Sequence, residues 1–136
     1  MRLYVARAEA PKPRLLNEQE LAAILANHVF ESACLEKLRL SEQVKLASRS
    51  QMSVGLHGAG LTHMLWARAG ASNLEIRGST EMRNNCYFSL ASDIGHHYYY
   101  VPARQPSACR PSYFSDYVVE AEQLDAVLAQ LVTDAA

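Results

Sequence analysis

The run SVGLHGAGLTHMLW, from Ser53 to Trp66, constrains the fold more than any other part of the chain. Met52–Leu56 reads as a short buried strand, glycines break it, and a helix follows at once with Leu61, Met64 and Leu65 on one side. Strand, turn and helix in immediate succession build parallel sheets, because parallel neighbours need a crossover between them. Gly58 and Gly60 let the backbone approach a ligand closely. The unbonded amides of the first helical turn, together with the helix dipole, favour an anion at that end. His57 stands at the lip, where imidazole can donate to a phosphate oxygen or exchange a proton, and Thr62 brings a hydroxyl to the same end. The bland reading is a tight strand-to-helix connection and no more, since short glycine motifs are weak signals by themselves.

Around this unit the chain alternates strand-like and helix-like segments. Strands are expected at Arg2–Ala6, His28–Cys34, Asn73–Arg77 and His97–Val101. Asn17 is placed to cap a helix that carries Glu18 and Glu20 in its first turn and Leu21, Ile24 and Leu25 at helical spacing. Ser41 is placed to cap a second helix with Leu40, Val44 and Ala47 inward. Tyr87, Leu90, Ala91 and Ile94 define another helix, stopped by Gly95, and Leu124, Val127, Leu128 and Leu131 a closing one. Pro102–Ser115 reads as loop. These elements predict one α/β domain over residues 1–136, a mostly parallel sheet of about five strands covered on both faces. Ligands bind such sheets outside the carboxyl ends of the strands, where the strand order reverses.

Composition removes several classes. Thirteen basic against 14 acidic residues, a net charge of −1, give no basic excess for nucleic acid. No apolar run approaches the roughly 20 residues that span a bilayer, and Arg7 and Glu9 break the N-terminal one too early for a signal peptide. Cys34, Cys86 and Cys109 are odd in number and match neither a disulfide nor a zinc pattern. They suit a reducing compartment, so cytoplasmic residence is expected.

The run VGLHGAGLTHMLWARAG followed by NLEIR resembles the signature of glycosyltransferase family 61. YVAR at Tyr4–Arg7, RLLNE at Arg14–Glu18, LSEQV around Gln43 and the late YFSLASDIGHHYYYV agree in the same order, so the likeness runs from Tyr4 to Val101. Ala69 departs from the proline usual before that glycine. The resemblance implies a Rossmann-like three-layer domain, the C-terminal, donor-binding half of a GT-B glycosyltransferase. The family's N-terminal acceptor domain would then lie outside these residues. It also implies inverting, metal-independent transfer, with no cofactor, from a nucleotide sugar such as a UDP-sugar to a glycan or other hydroxyl acceptor. Polysaccharide biosynthesis is the implied setting, with an N-terminal domain or a second copy as partner.

By the same resemblance His57, Gly58, Ala59, Gly60, Leu61 and Thr62 surround the diphosphate, and Glu75, at a strand end, accepts from ribose hydroxyls. Arg7 and Arg14 flank the loop after the first strand, where either can compensate the diphosphate or remain a solvated loop charge. Asn17 and Glu18 match a family pair, but a capping role explains both. A general base must deprotonate the acceptor. His57 is the one candidate here, and its place beside the phosphates suits leaving-group stabilisation better.

Three other readings bear on the same residues. HGAG resembles an esterase oxyanion motif, but no G-x-S-x-G nucleophile accompanies it. A module that binds nucleotide or a partner without turnover needs only the donor loop. Metal binding by His57, His63, His96 and His97 fails on spacing, because adjacent strand residues point to opposite faces.

Overall fold

A computed structural model describes residues 1–7, 15–81, 83–106 and 116–136. It contains the strands β1 (Arg2–Val5), β2 (Phe30–Ala33), β3 (Met52–Leu56), β4 (Ser72–Gly78) and β5 (His97–Ala103). The helices are α1 (Glu18–Asn27), α2 (Leu40–Ser48), α3 (Cys86–Asp93) and α4 (Ala121–Asp134), with 3₁₀ helices at Leu35–Lys37 and Ala59–Trp66. The five strands form one sheet in the order β2-β1-β3-β4-β5, and every pairing is parallel. Fold and strand number follow the expectation, and the sheet is fully rather than mostly parallel. The chain steps outward from β1 to β2 and then returns to the other side of β1 as β3, so the order reverses between β1 and β3. Ligands of such sheets bind at that point, beyond the carboxyl ends of the two strands.

Each face of the sheet has its own cover. Leu21 and Leu25 of α1 and Leu124, Leu128 and Leu131 of α4 pack with Val54, Leu56, Leu74, Ile76 and Val101 into one apolar cluster. Opposite, Leu61 and Met64 of the longer 3₁₀ helix join Tyr87 and Ala91 of α3, while Leu3 and Val5 meet Leu35 and Leu46. Residues of β4 alternate between the two sides, Leu74 and Ile76 toward α1 and α4, Asn73, Glu75 and Arg77 toward α3.

Several local expectations are corrected. Asn17 makes no side-chain cap on α1; its amide nitrogen donates to Val119 O at 2.8 Å and its Oδ1 accepts from Val119 N, tying α1 to the approach of α4. Ser41 lies inside α2, whose start is closed instead by Glu42 accepting from Arg39 N at 2.8 Å. Leu40, the first residue of α2, and Leu65, both expected inward, are exposed; in the 3₁₀ helix the three-residue period keeps Leu61 and Met64 on the buried side and turns Leu65 off it. β5 continues through Pro102 and Ala103, two residues expected as loop. An edge strand tolerates a proline because no outer neighbour needs its missing N–H. Among the described residues no helix is long and apolar enough to cross a membrane.

Candidate functional site

The switch point gathers most of the residues singled out in the sequence. Arg7 follows β1, His57 and Gly58 follow β3, and the 3₁₀ helix begins at Ala59. Gly58 has a defined reason to be glycine: a Cβ there would stand 2.3 Å from Arg7 Nη1, so the guanidinium lies directly on the turn. Gly60 also serves packing within the chain. Its Cβ would meet Val5 Cγ1 at 2.8 Å, so it lets the helix start sit close on β1. The expected helix after the turn is 3₁₀ throughout, and its first bond runs from Leu61 N to Gly58 O at 3.0 Å. That tighter winding commits Leu61's amide and leaves those of Ala59 and Gly60 without a partner in the helix. Leu61's side chain is in the core, while Thr62 shares a hydrogen bond with Tyr87. Arg14 and Cys109 lie outside the described residues.

His63 and Gln43 hold the 3₁₀ helix in place. His63 bridges Gly60 O at 2.9 Å and Gln43 Oε1 at 2.7 Å, and Gln43 donates to Leu35 O and Leu38 O. Glu18 likewise braces the end of β1, accepting from the Tyr4 hydroxyl at 2.6 Å and from Arg7 N at 3.4 Å. The Glu18 contacts join α1 to the strand that carries Arg7, a role beyond helix capping.

Glu75 is in the middle of β4 rather than at its end, and its side chain is 2% exposed. One carboxylate oxygen accepts from His57 Nδ1 and the other from the Tyr98 hydroxyl. Both oxygens are therefore engaged inside the protein, by His57 and Tyr98. Burial first, then the hydrogen bond to Glu75, pushes the Tyr98 hydroxyl up in pKa, so it remains a donor. Tyr87 packs edge-on against His57 with ring centroids 5.1 Å apart, and burial raises its pKa as well.

Arg77 completes the arrangement and was not singled out in the sequence. It is 9% exposed and donates to Asn85 Oδ1 at 3.1 Å, Glu81 O at 3.0 Å and Asn84 O at 3.1 Å. Burial works against its charge, but the Tyr98 hydroxyl and the carboxylates of Glu75 and Glu81 outweigh that and raise its pKa. Asn84 then reaches back to His57 Nε2 at 3.4 Å. His57, Glu75, Tyr98, Arg77 and Asn84 thus close a circuit of polar contacts at the carboxyl ends of β3 and β4. The signal was present in NLEIR: polar residues at every second position of a strand buried on both faces must be paired with something.

The switch point of this doubly wound parallel sheet thus carries an arginine against the start of a 3₁₀ helix, with the Glu75–His57 pair beside it on β4 and after β3. The sequence pattern of the family described as Glycosyltransferase 61 matches residues 1–74, and the chain belongs to that family. Similar curated proteins are the EGF domain-specific O-linked N-acetylglucosamine transferases. That of Mus musculus is 31% identical over 103 residues, 72% of this chain and 19% of the relative. The Gallus gallus protein is 33% identical over 90 residues, 62% of this chain and 16% of the relative. That of Drosophila melanogaster is 35% identical over 81 residues, 57% of this chain and 15% of the relative. The chain therefore spans about a fifth or less of the length of these relatives.

Proposed function

We propose that these residues form the donor-binding domain of a family 61 glycosyltransferase of GT-B type, taking a nucleoside diphosphate sugar. UDP is the nucleotide of this reading. N-acetylglucosamine, the sugar in the relatives' name, is the first to test. The observation that carries the proposal is Arg7 Nη1 laid against Gly58 at the start of the 3₁₀ helix. A guanidinium and the amides of Ala59 and Gly60 then meet a diphosphate from neighbouring elements, with Thr62 at the same end. Such fixed donors stabilise the charge that develops on the departing diphosphate, the work a metal does in other transferases. Inverting transfer to a hydroxyl of a glycan or other acceptor follows by direct displacement. A partner domain completes the enzyme in this reading. The thiols of Cys34 and Cys86 fit a reducing, cytoplasmic setting.

Titration calorimetry of the chain with UDP tests the reading. Saturable binding is expected, and Arg7→Ala should weaken it about tenfold, the worth of one charge-assisted hydrogen bond. Absence of heat at millimolar UDP would sink it. A module that binds nucleotide without turnover is the second reading. Release of UDP from UDP-N-acetylglucosamine by the chain alone would exclude that alternative.

A further inference from the structure

The contact between Asn84 and His57 specifies what the free nitrogen of the imidazole is prepared to meet. Asn84 Oδ1 accepts from Cys86 N at 3.2 Å, which turns its Nδ2 toward His57 Nε2. An amide nitrogen can only donate, so Nε2 is an acceptor and carries no proton. The proton is then on Nδ1, where Glu75 accepts it. In its neutral form His57 is then the Nδ1–H tautomer, with the lone pair of Nε2 toward Asn84 Nδ2 and 29% of the side chain exposed. A phosphate oxygen, itself an acceptor, is a poor partner for that lone pair. An O–H group is a good one.

We propose that Asn84 marks the place of the attacking acceptor hydroxyl, and that His57 Nε2 is the base that takes its proton. The inference rests on the donor-site reading above and assigns the acceptor side of the same site, in place of the leaving-group role expected from the sequence. At 3.4 Å the Asn84 contact is the longest link in the circuit, the one an incoming hydroxyl displaces at least cost. The displaced amide stays within reach because Arg77 holds the Asn84 carbonyl at 3.1 Å. In the transfer step the hydroxyl oxygen bonds to the anomeric carbon while its proton passes to Nε2. The anomeric carbon–oxygen bond breaks, and its electron pair leaves on the diphosphate. The imidazolium that results lies against the Glu75 carboxylate, which stabilises it as it forms. Tyr98 and Arg77 act through Glu75 and Asn84 and are positioning residues.

Nitrogen-15 spectra of the full chain labelled at histidine test this directly, with His57→Asn used to assign the signals. In the wild type at mildly alkaline pH, Nδ1 should be protonated and Nε2 bare; the opposite tautomer overturns the proposal, whether or not any variant folds. Asn84→Ala should shift the Nε2 resonance toward that of an unbonded imine and leave Nδ1 in place. An unmoved Nε2 resonance overturns it too. UDP affinity of the same variant should stay within about threefold of wild type, since the amide faces the acceptor; a larger loss assigns Asn84 to the donor and ends the inference. If wild-type chain binds no UDP while the tautomer is as stated, the donor reading fails by itself, because the spectra do not depend on it.

Discussion

The two faces of the sheet are made from the same strands and do opposite work. Toward α1 and α4, β4 presents Leu74 and Ile76 to a wall of Leu124, Leu128 and Leu131, all fully buried and without a polar atom on their side chains. Toward α3 the same strand presents Asn73, Glu75 and Arg77, each buried and each committed to named partners. The apolar face stabilises in proportion to the area it removes from water and is indifferent to orientation. The polar face contributes little net stability, since every contact replaces one with water, but it fixes directions. A fold that keeps both on one strand separates holding together from pointing side chains.

Removing Leu74 to Ala should therefore cost about 3 kcal/mol in urea unfolding, the sum of lost transfer and a residual cavity. UDP affinity measured on the folded fraction should be unchanged. A parallel loss of UDP binding would break the comparison, because it would show that the apolar face also orients the site. Arg77→Met should cost less, about 2 kcal/mol, as the carbonyls of Glu81 and Asn84 rehydrate at the surface once their donor is gone. Its larger consequence should be local: amide hydrogen exchange should quicken at residues 83–86 while the strand amides of β3 keep their protection. Uniform acceleration would mean that Arg77 serves global stability instead.

The smallest expected effect is on pH. His96 accepts from Asn73 Nδ2 at 3.1 Å, and burial lowers its pKa below the usual value of 6.5 despite a raising contact from Arg68. A histidine whose pKa is depressed on folding contributes stability that is complete above its unfolded value and declines as pH falls through it. Thermal unfolding followed from about pH 8 to about pH 5 should show a falling Tm across that range. His96→Asn should flatten the decline. An unchanged slope in the variant would assign the pH dependence to other groups and remove His96 from the polar face's account.

The elements themselves were readable in the chain. Met52–Leu56 as a strand, the stripe Leu124, Leu128 and Leu131, and the break at Gly95 follow from side-chain periodicity and backbone allowance, which are local properties. The glycine turn after β3 was legible for the same reason, since Gly58 and Arg7 border short-range features. What the sequence missed has one cause. Asn17 looked like a cap and is instead bonded to Val119, 102 residues away. Gly60 also makes room for Val5, which no local pattern shows. Glu75 looked like a strand-end acceptor and faces His57.

The sequence by itself determined the alternation of elements, the covered parallel sheet and the glycine turn after β3, because each is set by period and backbone allowance within a few residues. Tertiary structure alone decided the strand order, and with it which side chains meet beyond β3 and β4. Hydrogen bonds between residues 18 and 27 apart, Glu75 to His57 and His57 to Asn84, exist only once the crossovers have folded. No local rule encodes them, since partners in a buried polar circuit are chosen by geometry across strands.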